Sequence, residues 1–155
     1  SPPPPPPLPP PVPAPPLIGA RAARCGSRFV DAAIDARQID GRWQVTTHGG
    51  KRATERELFT WAREAVDRGA GEILFTSMDH DGTKNGYPCE TFARLAELPV
   101  PIIASGGAGS VAHIADVLTR GRADAALAAS IFHYGEIPIP RLKRELRERG
   151  IAVRL

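Results

Sequence analysis

Two carboxylates, a pair of glycines and a few small hydroxyls are the groups in this sequence that could do chemistry. Asp35 ends the apolar run Phe29 to Ile34, and Asp81 sits in the polar stretch Asp79-His80-Asp81-Gly82-Thr83-Lys84-Asn85-Gly86-Tyr87. A carboxylate at the end of a strand can give or take a proton. Asp35 reads equally as a helix cap or loop anchor, and Asp81-Gly82 equally as a turn pair. Ser105-Gly106-Gly107 and Ala129-Ser130 form the second set. Paired glycines let the backbone approach an anion, and N–H groups at a helix start can hold phosphate. Either feature alone is weak; the two together point to a phosphate site.

The elements that must position these groups alternate. Phe29–Ile34 reads as a strand, followed by a hairpin-like stretch, Asp40–Val45, and a loop, Thr46–Gly50. Leu58, Trp61, Ala62, Ala65 and Val66 then recur at helical spacing. Thr54 and Glu57 predict a capping box for that helix, and Gly69 its end. Glu72–Ser77 reads as a buried strand, with a helix over Glu90–Leu98 burying Phe92, Leu95 and Ala96 before Pro99. Pro101–Ser105 is a strand; Ser110 caps a helix carrying Ile114, Val117 and Leu118, which Gly121 ends. Ala123–Ala129 is a further strand, Ser130–His133 a short turn or helix, and Pro140–Arg149 a helix burying Leu142 and Leu146. Leu17–Arg24 suits the end of an earlier helix closed by Cys25-Gly26.

Each strand ends in a polar residue: Asp35, Thr76, Ser105 and Ser130. The intervals of 41, 29 and 25 residues fit strand–helix units. Such repetition predicts a parallel sheet with outer helices, either an open doubly wound sheet or a (β/α)8 barrel. Glycines after one strand and a short helix after the next favour the barrel, where they suit the phosphate site after strands 7 and 8. The four strands are then strands 5 to 8, half a barrel. The period of two puts Asp31 and Ala33 on the Asp35 face, and Glu72 and Leu74 on the Thr76 face. Glu72 is thereby an inward carboxylate at the bottom of the barrel, unless it is simply exposed at the strand start.

Composition narrows the classes. Of the 155 residues, Ser1–Pro16 hold twelve of the 17 prolines, so residues 1–16 read as a disordered polyproline segment and 17–155 as one domain. That segment could act as a spacer or as a ligand for proline-binding domains. A hydrophobic content of 42% supports a real core, and 24% charged residues is an ordinary soluble value. The net charge of +3 comes with no aromatic-plus-basic module, which argues against nucleic acid. No run is long and apolar enough to span a membrane, and no signal peptide is visible. Cys25 and Cys89 fit isolated reduced thiols in a cytoplasmic protein. His48, His80, His113 and His133 share no metal-ligating spacing, and neither a metal nor another cofactor is expected.

Several runs resemble a known family. Gly69 to Asp79, Asp81-Gly82-Thr83-Lys84 with Gly86-Tyr87, Ala33-Ile34-Asp35-Ala36, His48-Gly49-Gly50, Ile103 to Gly109, Ala123 to His133 and the tail Arg144 to Leu155 are similar to the cyclase subunit of imidazole glycerol phosphate synthase (HisF). The resemblance covers about Leu17 to Leu155 and implies the C-terminal half of a (β/α)8 barrel. It implies conversion of the bisphosphorylated nucleotide PRFAR and ammonia to imidazole glycerol phosphate and AICAR in histidine biosynthesis. The ammonia would come from a glutaminase (HisH-like) subunit at the barrel's bottom face. In that scheme Asp35 is the general acid. Thr76, Asp81 and Gly82 contact substrate, and Ser105, Gly106, Gly107, Ala129 and Ser130 bind phosphate. Glu72 belongs to a charged ring gating ammonia.

The sister isomerase of that pathway shares the half-barrel plan, but Ser77-Met78-Asp79 and Val153-Arg154-Leu155 resemble the cyclase. Three departures stand out. The first half of the barrel, with the family's strand-1 general base, is not in the sequence. Pro88 replaces a usual Asp, and Asp31 a usual apolar residue. The expectation is therefore a half-barrel that dimerises or requires its missing half. A non-catalytic phosphate-binding half-barrel and an inactive gene fragment are the alternatives.

Overall fold

The computed structural model describes residues 30–154 together with Ile18, Ala20 and Ala23. The expectations for the proline-rich segment, for Cys25-Gly26, for Phe29 and for most of the Leu17–Arg24 helix lie outside the described residues. Ile18, Ala20 and Ala23 are helical, and Ile18 is buried against the core.

The first strand, β1 (Asp31–Ile39), runs on past Asp35. It turns through Asp40 and Gly41, at φ 51° and 74°, into β2 (Arg42–Thr47). Two successive left-handed residues make the kind of turn that matches the twist of an antiparallel hairpin. The stretch after β2 is another reversal, with positive φ at His48, Gly49 and Gly50, leading into β3 (Arg52–Glu57). This third strand replaces the expected capping box, and β2 runs through Thr46 and Thr47 into the expected loop, whose remaining residues His48–Gly50 do form the turn. Arg52-Ala53-Thr54-Glu55-Arg56-Glu57 carries no apolar alternation, so only its backbone ladder to β2 makes it a strand. Thr54 donates its hydroxyl to Val45 O at 2.8 Å and takes no part in a cap.

Helix α1 (Leu58–Asp67) follows directly. Glu57 caps it alone, its carboxylate accepting from Phe59 N (3.1 Å) and Thr60 N (2.9 Å). Gly69, at φ 102°, stands just beyond its end as expected. Next come β4 (Glu72–Ser77), α2 (Cys89–Leu95), β5 (Ile102–Ser105) and α3 (Val111–Thr119). The chain ends with β6 (Ala125–Leu127), α4 (Ser130–His133) and α5 (Ile139–Glu148). Helix α2 stops three residues short of the expected Leu98, leaving Ala96 half-buried. Strand β6 is shorter than Ala123–Ala129, and just before it the Asp124 carboxylate accepts from Ile102 N at 2.8 Å. Ser110 caps α3 through His113 N, as its residue type predicts.

The six strands form one sheet in the order β3-β2-β1-β4-β5-β6. Pairs β1–β4, β4–β5 and β5–β6 are parallel; β1–β2 and β2–β3 are antiparallel. The sheet is thus mixed where an all-parallel one was expected, and among the described residues it does not close on itself. The parallel part with its helices is the α/β plan consistent with the (β/α)8 barrel family.

The core lies between that sheet and the helices. Ile34, Ile73, Phe75, Ile102 and Ala104 point to the helix side and are essentially sealed from solvent. Phe75 anchors it, with Trp43 edge-on at 5.5 Å and Phe92 at 5.0 Å between ring centres. Alternation then forces the intervening residues onto the other face. In register these are Asp31 with Glu72, Ala33 with Leu74, and Asp35 with Thr76. That face is open: Asp31, Ala33, Ala125 and Leu127 are exposed.

Candidate active site

The parallel ladders align the strand ends into one row. Asp35 pairs in register with Thr76, Thr76 with Ser105, and Ser105 with Leu127. This row is the C-terminal rim of the sheet, on its open face. Burial pushes the Asp35 carboxyl above its ordinary range; a hydrogen bond from the Thr76 hydroxyl opposes the rise, and the nearby Asp81 charge adds to it. Asp35 therefore holds its proton to a higher pH than a free aspartate.

The loop after β4 begins with a tight turn. His80 N and Asp81 N both donate to Ser77 O, at 3.2 and 2.9 Å. The Ser77 hydroxyl, fully buried, lies 2.6 Å from His80 Nδ1. Thr83 donates both its N–H and its hydroxyl to His80 O, at 3.0 and 2.7 Å. Asp79 closes the turn against β1, its carboxylate accepting from Gln38 N at 2.7 Å. The loop is thus a folded unit whose Asp81 and Gly82 lean toward β5.

Gly106 and Gly107 meet it there. Both have positive φ, 90° and 121°. A Cβ on Gly106 would lie 2.6 Å from Ser77 O, and one on Gly107 would collide with Gly86 O. Only glycine admits this approach. The contact is sealed by Gly86 N donating to Gly107 O at 2.8 Å.

The structure brings Asp81, Gly82, Ser105, Gly106, Gly107, Ala129 and Ser130 around one concavity of about 200 Å³. Ala108, Leu127 and Ala128 complete its wall. Thr76 lies beside Asp35 and outside this wall. Glu72 lies at the far end of β4, half-buried. Five residues of strand separate it from the Ser77 end, roughly 17 Å. Beside the Asp81 carboxylate, the concavity offers small residues, glycine backbone and two hydroxyls, groups that a compact anion could approach on the side away from Asp81.

Two residues with structural importance here had no assigned role in the sequence reading. Tyr87 is buried, and its hydroxyl donates to Leu127 O at 2.9 Å, tying the β4–α2 loop to the end of β6. Burial drives its phenol further up, so it stays a neutral donor. Its motif position after Gly86 was visible, but the partner 40 residues away was not. Lys84 bonds to Glu136 across 52 residues in the same hidden way. Burial also raises the Cys89 thiol, which disfavours a nucleophilic thiolate. Among the described residues no group of three or more His, Cys, Asp or Glu side chains is arranged to hold a metal ion.

Comparison with known proteins gives a consistent result. The model of the family described as histidine biosynthesis protein matches residues 11–138. The chain is 59% identical over 142 residues to the imidazole glycerol phosphate synthase subunit HisF of Flavobacterium johnsoniae, covering 91% of this chain and 57% of that protein. It is 55% identical over 143 residues to the protein of the same name from Geobacillus thermodenitrificans, covering 90% and 57%. A Bacteroides fragilis relative of that name is 54% identical over 141 residues. The chain spans about 57% of the length of the first two of these relatives.

Proposed function

The chain belongs to the histidine biosynthesis protein family, and from that premise we propose that it supplies strands 5 to 8 of an imidazole glycerol phosphate synthase cyclase barrel. The observation that carries the reading is the single rim on which Asp35, Thr76 and the glycine-lined concavity stand together.

In this reading Ser105, Gly106, Gly107, Ala129 and Ser130 take one phosphate of PRFAR, with Asp81 and Gly82 beside it. The substrate then lies across the rim toward Thr76 and Asp35. Asp35 acts as general acid, and its burial supports that role because a carboxyl that holds its proton more tightly than a free aspartate is more often protonated and ready to deliver it. Thr76 fixes the carboxyl's orientation. The products are imidazole glycerol phosphate and AICAR.

Glu72 and Asp31 share a register position at the opposite end of the sheet. In this reading Glu72 gates ammonia delivered by a glutaminase subunit docked on that end. Two features of the sheet support a partner half. The antiparallel pairing of β1 with β2 begins only at Asp35, so the Asp31–Ile34 stretch lacks a strand on that side among the described residues. Strand β6 likewise pairs on one side only. Unpaired edges and an open face carrying Ala33, Leu74, Ile103 and Leu127 suit pairing with four further strands. A second copy of the chain or the first half of a barrel would provide them. The reaction itself fits a cytoplasmic setting, and no described helix is long and apolar enough to cross a membrane.

Acid–base work across the substrate requires a second carboxylate, which the resemblance assigns to strand 1. This chain alone is thus expected to bind the bisphosphate without turning it over. Calorimetry with PRFAR tests the reading: saturable binding that Gly107→Ala abolishes supports it. Turnover by the chain alone, at the rate of a complete cyclase, would refute it.

A further inference from the structure

Lys84 belongs to the Asp81–Tyr87 run, yet the proposed chemistry gives it no task. Its Nζ lies 2.5 Å from Glu136 Oε1, and both side chains are 40% exposed. Among the described residues the other ion pairs are Arg56–Glu64, Arg68–Glu64 and Arg141–Glu145. Each of those holds a helix to itself or to the residues flanking it. Lys84–Glu136 instead joins two connections that are remote in sequence, the β4–α2 loop and the α4–α5 link.

The backbone around it makes the pair consequential. Lys84 is held at φ 57°, an unfavourable conformation for a residue with a Cβ. Its carbonyl oxygen and Cβ press on Gly109 so closely that no side chain fits there. Two residues on, Gly86 N bonds to Gly107 O. The loop therefore lies directly on the Gly106–Gly109 turn. Glu136 follows α4, whose first residue, Ser130, lines the same concavity. The ion pair closes a ring through three segments: the loop, the glycine turn and the α4 start.

We propose that Lys84 and Glu136 form a latch that sets the spacing of these three segments, making both positioning residues for a phosphate dianion in the concavity. This inference rests on the phosphate role proposed above. Lys84 is not itself a phosphate ligand: its ammonium is committed to a carboxylate, and it is absent from the concavity wall. An exposed pair is weak, so each member's loss is expected to weaken phosphate binding about three- to fivefold.

The test is an NMR titration of the full chain with inorganic phosphate, followed at the Gly107, Ala108 and Ser130 amides. Lys84→Met and Glu136→Gln should each raise the dissociation constant by that factor, and the double variant should be no worse than either. The charge swap Lys84→Glu with Glu136→Lys should recover most of the loss, an effect that a bulk packing defect would not give. Hydrogen exchange at Gly86 N–H should quicken in the single variants and slow again in the swap. Unchanged affinity in both single variants overturns the latch alone. Tighter binding by Glu136→Gln also overturns it, because Lys84 freed from its partner would then be a direct ligand. No phosphate-dependent shift at these amides in the unaltered chain overturns the phosphate site and the latch with it.

Discussion

Asp35 and Thr76 face each other across the β1–β4 parallel ladder, and the Thr76 hydroxyl, a potential donor beside the Asp35 carboxyl, counters the rise that burial imposes on it. The pairing sets a half-buried acid against the one side chain that favours its ionised form. Thr76→Val deletes that donor and keeps the shape. The Asp35 carboxyl should then titrate at still higher pH, as read by carboxyl-carbon NMR. A lower or unchanged midpoint would show that the Thr76 hydroxyl does not stabilise the ionised carboxyl.

The same shift fixes a sign for stability. Asp35 binds its proton more tightly in the fold than in the unfolded chain, where its value is near 3.8. Stability is therefore complete below that value and is lost as pH rises through the raised one. Asp35→Asn removes the titration, so the variant should gain on the parent progressively as pH rises from about 4 upward. With the group only half-buried and screened by solvent, the gain is expected to be only about 1–3 °C in Tm. Thermal melts across that range check it; a gain confined to acid pH would contradict the assignment.

Gly107 and Gly82 separate crowding from backbone strain. Both have positive φ, 121° and 74°, but a Cβ on Gly107 strikes Gly86 O while one on Gly82 meets nothing within 4 Å. Gly82→Ala should cost about 1 kcal/mol from conformation alone. Gly107→Ala must also push the loop off its turn, for a total of about 3 kcal/mol or more. Urea unfolding measures both, and equal costs would mean that the loop gives way freely.

The open sheet face leads to self-association. Leu127 is 44% exposed, and Leu74 sits in the middle of the same face. Sedimentation should report dimers that weaken with dilution, and Leu74→Lys should shift the population toward monomer. A well-folded monomer at every concentration would remove the half-barrel pairing from the account.

Much of this architecture was legible in residue order. The Leu58–Val66 stripe, the strand Glu72–Ser77 and the Ser110 cap each rest on a local pattern, and each is present. The grouping of Ser105, Gly106 and Gly107 with Ala129 and Ser130 followed from their strand-end positions. Strand β3 escaped because Arg52–Glu57 is polar on both faces, and a ladder partner leaves no mark in such a sequence. Thr54 lies three residues before the cap residue Glu57, but its hydroxyl bonds to Val45 O on β2, so the hairpin decided the competition. The bonds Tyr87–Leu127 and Lys84–Glu136 span 40 and 52 residues, distances over which no local pattern reports.

The most direct measurement supplies what the chain does not span. Mixed with the part of the Flavobacterium johnsoniae HisF that lies outside its match, the chain should convert PRFAR and ammonium to imidazole glycerol phosphate and AICAR. Substituting Asp35→Asn in this chain should abolish that turnover while leaving PRFAR binding in place. Turnover undiminished by Asp35→Asn would contradict the claim that this half carries the general acid.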